Sequence, residues 1–357
     1  MPRPANSTKV SPSRWNQRLS PWRLTLALTL TLALLFFISL SSGYLPFTVP
    51  EVWQITKAKL FGLTTELDES RVLILWDLRL PRLFTALLTG AALSLSGAIF
   101  QGLLLNPLAD PYTLGVSSGA ALGASLIIVA GLIFPDQPLL FEPWALTTGA
   151  FLTAALTLVA VMTLANDKRN NLSPTNLILA GVILSAILSA AISFIKYLAG
   201  EQVTSIIFWL LGSFQARVWA DAGLVLIFFI PALTMSLWSA VDLNIMTLGA
   251  ASAETLGVNT RRVRLNLLAA ATLAASAAVS VAGIIGFVGL IVPHLIRLLI
   301  GPDHRALLPL SALGGGALLL AADTMVRAVL PGEIPVGILT ALLAGPAFLI
   351  IFRRRLG

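Results

Sequence analysis

Charge, cysteine and histidine are what this chain of 357 residues has least of. Lys, Arg, Asp and Glu make up 11% of it, where soluble globular chains carry about 25%. Cysteine is absent, which excludes disulfides, thiolate metal sites and a cysteine nucleophile. The two histidines, His294 and His304, argue against a multi-histidine metal centre. No GxxxxGK[ST] run occurs, so this chain does not bind nucleotide by a P-loop. No HExxH, GxSxG or Ser/His/Asp set is visible either, and the carboxylates are too scattered for a paired acid–base site. What is abundant is apolar: 57% hydrophobic residues and a mean hydropathy of +0.90 describe an integral membrane protein. The net charge of +7 then reads as basic loops retained on the cytoplasmic side rather than as a nucleic-acid surface.

Residues 1–23 are polar, basic and rich in Pro and Ser, the composition of a disordered cytoplasmic tail. Beyond it, long uncharged runs mark the membrane helices: Leu24–Leu40, Leu83–Ala109, Pro111–Pro135, Pro143–Asn166, Asn170–Ile195, Ala222–Val241, Leu265–Pro293, Ala306–Ala322 and Ile334–Phe352. Each approaches the ~20 residues that cross a bilayer. Basic clusters lie in the tail, at Lys168-Arg169, at Arg261–Arg264, at Arg297 and Arg305, and at Arg353–Arg355. Placing all of them inside requires an even number of crossings between neighbours. Residues 265–296 must then hold one full span and one short one, broken near Gly283–Gly289. Gln202–Ala216 becomes an outward partial helix ending near Gly212, and Glu51–Arg82 an outer segment with a short surface helix. The expected fold is all-α, with about ten transmembrane helices, both termini cytoplasmic, and a single polytopic domain over residues 24–357.

The stretch Arg79–Gly119 holds the most information. Ser94, Gly97, Ala98 and Gln101 fall at i, i+3, i+4 and i+7, one small and polar helical stripe. Close helix packing and lining of a route explain such a stripe equally well. Two backbone breaks follow long, small-residue-rich spans, one at Asn106–Pro111 and one at Gly283–Gly289 with Pro293-His294. Paired breaks hint at a duplicated half, as in transporters with discontinuous helices. On local grounds alone Asn106–Pro111 is better read as an ordinary cytoplasmic turn with standard turn residues. Asp323 and Arg327 are four apart and share a helix face, where a local pair is expected to orient the arginine, with Glu333 just beyond. His294 reads as a structural histidine. The inner loop 243–264 contains a short surface helix bracketed by Gly249 and Gly257, suited to docking on a cytoplasmic partner.

These residues resemble the FecCD-type permeases of bacterial ABC importers for iron chelates and vitamin B12. The resemblance runs from about Leu24 to Phe352. It rests on RLPR at Arg79–Arg82, GAALSLSGAIFQGLLLNPLADPYTLGVSSGA at Gly90–Ala120, and LILAGV at Leu177–Val182. It continues through LGAASAETLG at Leu248–Gly257 and GFVGLIVPHLIR at Gly286–Arg297. It ends with DHRALLPLSALGGG at Asp303–Gly316, AADTMVR at Ala321–Arg327 and EIPVG at Glu333–Gly337.

The resemblance implies a homodimer in the bacterial inner membrane, two ATP-binding cassette ATPase subunits below it, and a periplasmic or lipid-anchored binding protein above. It implies a substrate that is a bulky metal chelate: ferric siderophore first, cobalamin or haem next. Arg79, Arg82 and Arg327 match arginines that receive carboxylates of the binding protein. Asn106 and Leu108 match one half of a cytoplasmic gate, and Pro174 and Thr175 the other, with Pro174 replacing the small hydroxyl residue of some relatives. Leu248, Gly249, Ala253, Glu254, Leu256 and Gly257 match the coupling segment that seats in the ATPase. Ser94, Gly97 and Gln101 remain pathway-lining candidates. No cofactor or metal is implied for this chain; ATP is used by the partner. An ion-coupled secondary transporter is the rival, but it needs a mid-membrane carboxylate or ion site that the sequence does not offer.

Overall fold

The computed structural model describes residues 19–43, 45–64, 67–166, 172–328 and 334–356. Lys168, Arg169, Glu333 and most of the tail expected over residues 1–23 lie outside the described residues.

Among the described residues fifteen α-helices make up the fold. They are α1 (Pro21–Ser41), α2 (Val49–Phe61), α3 (Glu69–Leu73), α4 (Leu80–Leu103), α5 (Val116–Ile133), α6 (Pro143–Ala165), α7 (Pro174–Ala199) and α8 (Val203–Leu210). They continue as α9 (Trp219–Trp238), α10 (Ala240–Met246), α11 (Ala250–Thr255), α12 (Thr260–Ala282), α13 (Val288–Ile300), α14 (His304–Ala328) and α15 (Val336–Leu356). Eight stretches are long and apolar enough to cross a membrane: α1, the continuous helix Glu69–Leu103, α5, α6, α7, α9, α12 and α14. Two shorter apolar helices, Val288–Ile300 and Val336–Pro346, accompany them. The described residues are all-α, with the helices of a multi-pass membrane protein.

Helix α4 is the axis of the bundle. Its apolar window is 89% buried, against 17% for α1 and 22% for α7 and α9, so the outer helices present their apolar faces to the surroundings while α4 is wrapped by α14, α12, α9 and α13. Small residues make this possible, because in lipid close backbone approach replaces the hydrophobic drive. A Cβ on Gly90 would overlap the Gly315 carbonyl of α14, and one on Gly97 the Gly289 carbonyl of α13. Ser96 Oγ donates to the Ala271 carbonyl of α12 at 2.7 Å.

The start of α4 departs from the expected outer loop. Residues 69–103 form one helix, with a π-helical stretch over Ile74–Arg79. Pro81 has no N–H to give and crowds the preceding turn. The turn widens instead, so Leu80 N–H reaches back to the Leu75 carbonyl. The apolar run expected to continue to Ala109 stops as helix at Leu103, where Leu105 turns to a φ of 50° ahead of Asn106-Pro107. The short outer helix foreseen in 51–82 is α2, closed by a Thr48/Glu51 capping box. The outward partial helix is α8, ending just before Gly212, and the break within 265–296 falls between Ala282 and Val288.

Candidate functional site

At one end of the bundle, Arg79 closes the π-helical stretch, Arg82 lies in the first turn of α4, and Arg327 in the last turn of α14. All three line one cleft of ≈510 Å3 with Gly43, Leu45 and Gln215. Their bonding is inward. Arg79 is 8% exposed, donates Nη1 to the Leu40 carbonyl, and lies 4.9 Å over the Phe47 ring. Arg327 donates Nη1 to the Ser42 carbonyl at 2.8 Å and Nη2 to Ser39 Oγ at 2.9 Å. Helix α1 has no basic residue in its last turn, so these two distant arginines serve its unpaired terminal carbonyls. Gly43, at φ 125°, makes room for them: a Cβ there would sit 3.0 Å from Arg79 Nη2 and 3.1 Å from Arg327 Nη1.

The expected local pair of Asp323 with Arg327 does not form. Asp323 instead takes Arg82, with Nε 3.1 Å from both carboxylate oxygens and Nη2 2.9 Å from Oδ1. The four-residue spacing put the two side chains on one face, but Asp323, 1% exposed, turns into the α4 contact while Arg327 turns to α1.

At the inner end of α4, Asn106 Oδ1 accepts from Leu108 N–H at 2.9 Å, an Asx turn that presents an exposed Leu108. Asp110 Oδ1 accepts from Thr113 N–H at 2.9 Å, and burial pushes its carboxyl up to about 6 despite the Thr113 and Tyr112 N–H groups. Pro174 opens α7 with Ser173 as its cap, Ser173 Oγ accepting from Asn176 N–H at 3.1 Å, and Thr175 is exposed. Among the described residues no hydrogen bond joins Asn106 or Leu108 to Pro174 or Thr175. The two segments meet two turns deeper, where the missing side chain of Gly181 on α7 admits Leu114, whose Cα a Cβ would approach to 2.8 Å.

Tyr112 was not singled out from the sequence. Its hydroxyl donates to the Ile285 carbonyl at 2.6 Å and accepts from Ile285 N–H at 3.2 Å. It thereby joins the two predicted backbone breaks and satisfies both polar groups of a non-helical residue. An aromatic hydroxyl inside an apolar run was the available signal.

Loop 243–264 has the bracketed form. Gly249 at φ 102° and Gly257 at φ 86° bound α11. Ala253 is fully buried, Glu254 Oε1 accepts from Thr260 Oγ at 2.8 Å, and Leu248 and Leu256 are 66% and 62% exposed. A second link was not foreseen: Asn244 of α10 donates to Asp303 Oδ1 at 2.8 Å and accepts from His304 N–H at 2.9 Å, fixing the loop to the first turn of α14. Arg305 bonds first, then Asn244, hold the Asp303 carboxyl well below the usual carboxylate range.

The stripe Ser94, Gly97 and Gln101 faces protein. Ser94 is fully buried, Gly97 lies on Gly289, and Gln101 Nε2 donates to the Gly289 and Leu290 carbonyls at 3.3 and 3.2 Å. In this conformation all three pack within the subunit.

The chain is 40% identical over 343 residues to the hemin transport system permease protein of Yersinia pestis, covering 95% of this chain and 98% of that one. It is 42% identical over 315 residues to the cobalamin import system permease protein of Halobacterium salinarum, covering 88% and 81%. A solved chain assigned to a metal-chelate type ABC transporter, in an inward-facing conformation, superposes with a TM-score of 0.78 at 33% identity, covering 94% of this chain and 99% of the other. Residues 31–354 match the FecCD transport family, and the protein belongs to that family of membrane transport permeases.

Proposed function

We propose that this chain is the permease subunit of an ABC importer that moves a bulky metal chelate inward across the bacterial inner membrane. It works as a homodimer with two ATPase subunits and a substrate-binding protein. The eight long spans and two short ones make ten crossings, with both termini cytoplasmic. The observation that carries the reading is the arrangement along α4 and α14. Arg79, Arg82 and Arg327 share one cleft at one end of these helices, while Leu248 and Leu256 stand exposed beside the other end, tied to α14 by Asn244. Carboxylates of a binding protein are the natural ligands of the arginines, and a hydrophobic groove of an ATPase is the natural seat of the leucines. Asn106, Leu108, Pro174 and Thr175 form the cytoplasmic gate, and Gly249, Ala253, Glu254 and Gly257 shape the coupling segment. Ser94, Gly97 and Gln101 border the route when the helices separate.

ATP binding and hydrolysis by the partner open and close the two faces in turn; this chain supplies route and gates. Ferric siderophore, cobalamin and haem are the cargo classes. Near-equal identity to hemin and cobalamin permeases favours neither over the siderophore that the motif resemblance puts first. The test is reconstitution in vesicles with the cognate ATPase and binding protein, with ferric siderophore, cobalamin and haem offered separately. ATP-driven accumulation of one of them is expected; uptake of none rejects the reading.

A further inference from the structure

A second cavity, of ≈400 Å3, lies where α5, α6 and α8 meet the break after Ala282. It is separate from the docking cleft apart from the shared Gln215 and Ala216, and its size is that of a small-ligand site, roughly 300–1,000 Å3. Ile128, Leu146, Phe208 and Trp209 supply apolar wall, and Ser205 and Arg217 supply polar groups.

Arg217 is the unusual member. Its Nε donates to the Gln215 carbonyl at 2.9 Å and its Nη1 to the Val281 carbonyl at 2.7 Å. The guanidinium plane is therefore fixed through Nε and Nη1, and among the described residues no hydrogen bond uses Nη2 of this cavity-lining arginine. Among the described residues no carboxylate forms an ion pair with it. Asp221, the nearest acid in sequence, turns its Oδ2 to Val218 N–H at 2.9 Å, closing the start of α9. Burial pulls the Arg217 pKa below its ordinary value, and the field of Asp221 restores only part of it. Carbonyl dipoles orient a cation without neutralising it, so a desolvated guanidinium with one free edge is complementary to an anionic oxygen. The adjoining indole and phenyl surfaces suit an apolar body attached to that anion.

We propose that this cavity binds an amphiphilic anion, whose carboxylate or phosphate oxygens take Arg217 Nη2 and whose apolar part lies against Phe208 and Trp209. Two sources share that chemistry: the headgroup of an anionic phospholipid, and a carboxylate-bearing ferric chelate.

The purified full-length permease distinguishes them. In one arm, nanodiscs of phosphatidylcholine with and without phosphatidylglycerol are released into native mass spectrometry, and the lipid retained is counted. In the other, binding of the ferric complex of a fatty-acylated citrate chelator, which has both carboxylates and an apolar tail, to the detergent-solubilised protein is measured by equilibrium dialysis. Wild type is expected to retain phosphatidylglycerol or to bind the acylated ferric chelate, and Arg217→Gln to lose about tenfold in affinity in the arm that responds. Ser205→Phe leaves both Arg217 carbonyl bonds in place but fills the cavity. It is expected to lose binding at unchanged thermal stability, which separates loss of the site from loss of the fold. Arg217→Lys should retain part of the affinity. Retention in the first arm assigns the site to lipid, and binding in the second to a chelate. No binding by wild type in either arm, or binding that Arg217→Gln and Ser205→Phe both leave intact, overturns the proposal. Reconstituted uptake plays no part in this readout, so the site and the transport reading stand or fall separately.

Discussion

Arg82 and Asp323, 241 residues apart, form a two-pronged ion pair where α4 begins and α14 ends, with the carboxylate 1% exposed and the guanidinium side chain 12% exposed. The pair clamps the first turn of α4 to the last turns of α14. It also occupies the Nε/Nη2 edge of the guanidinium that a docking carboxylate would otherwise meet. A charge-bearing clamp in a nearly dry site is held by its mutual pairing, and removing one member strands the other.

Asp323→Ala should therefore destabilise the detergent-solubilised protein by about 3 kcal/mol, and Arg82→Ala by a similar amount. The double variant should cost clearly less than the sum, because no charge is left stranded. Thermal unfolding of the four proteins gives the coupling directly, and additive losses would show that the pair contributes no mutual stabilisation. On the docking role proposed above, Arg82→Glu, facing Asp323 with a like charge, should weaken association with a substrate-binding protein by at least tenfold, read by surface binding on folded material.

The outline of this fold follows from the sequence because the bilayer imposes a length on every apolar run and loop charge imposes a side. Broken spans were legible for the same reason: Gly283–Gly289 interrupts a stretch too short for two full helices. Side-chain partners were not legible. Spacing alone put Asp323 with Arg327, whereas the contact between α4 and α14 gives it to Arg82. The depth of Arg79 was hidden by the π-helical turn ahead of Pro81. Tyr112 and Asn244 bond across 173 and 59 residues of chain, and no local pattern encodes such distances.

The glycine contacts make a sharper prediction than their number would. Gly97→Val drives a branched side chain into the Gly289 backbone, and neither helix can yield without parting Gln101 from the same segment. Overpacking of this kind costs about 1–3 kcal/mol or more, so folded yield by size-exclusion chromatography should collapse. Gly223→Ala, on α9 with nothing within 4 Å of the added carbon, should be neutral or stabilising by up to about 1 kcal/mol.

Tyr112→Phe removes one oxygen and strands two backbone groups of Ile285. In apolar surroundings each unsatisfied group costs about 1–3 kcal/mol. The variant should melt several degrees below wild type, and amide exchange at Ile285 should accelerate while exchange in the middle of α12 does not. Unchanged protection at Ile285 would mean that water replaces the hydroxyl.

The exposed leucines of the inner loop separate coupling from folding. Leu248 and Leu256 are 66% and 62% exposed and contribute little to the subunit's own packing. Leu256→Asp should leave thermal stability within about 0.5 kcal/mol of wild type. If loop 243–264 couples to an ATPase as proposed, association with that ATPase, measured by co-purification, should fall at least tenfold, because a charge would replace the exposed apolar side chain of Leu256. Ala253→Asp, at a fully buried position of the same segment, should instead unfold the loop and lower stability.

Asp110 supplies a pH dependence with a definite sign. Burial raises its carboxyl to about 6 in the folded protein from an ordinary value of 3.8. The folded state therefore binds a proton more tightly than the unfolded chain does. The resulting stabilisation is fully present below pH ~3.8 and is lost as pH rises through about 6, where the carboxylate must ionise against a buried surface. The difference is on the order of 3 kcal/mol across that window. Wild type should melt progressively earlier than Asp110→Asn as the buffer moves from pH 4 to pH 7. The amide keeps an oxygen to accept from Thr113 N–H but carries no charge to desolvate. Parallel melting curves for the two proteins over that range would place the Asp110 carboxylate in contact with water.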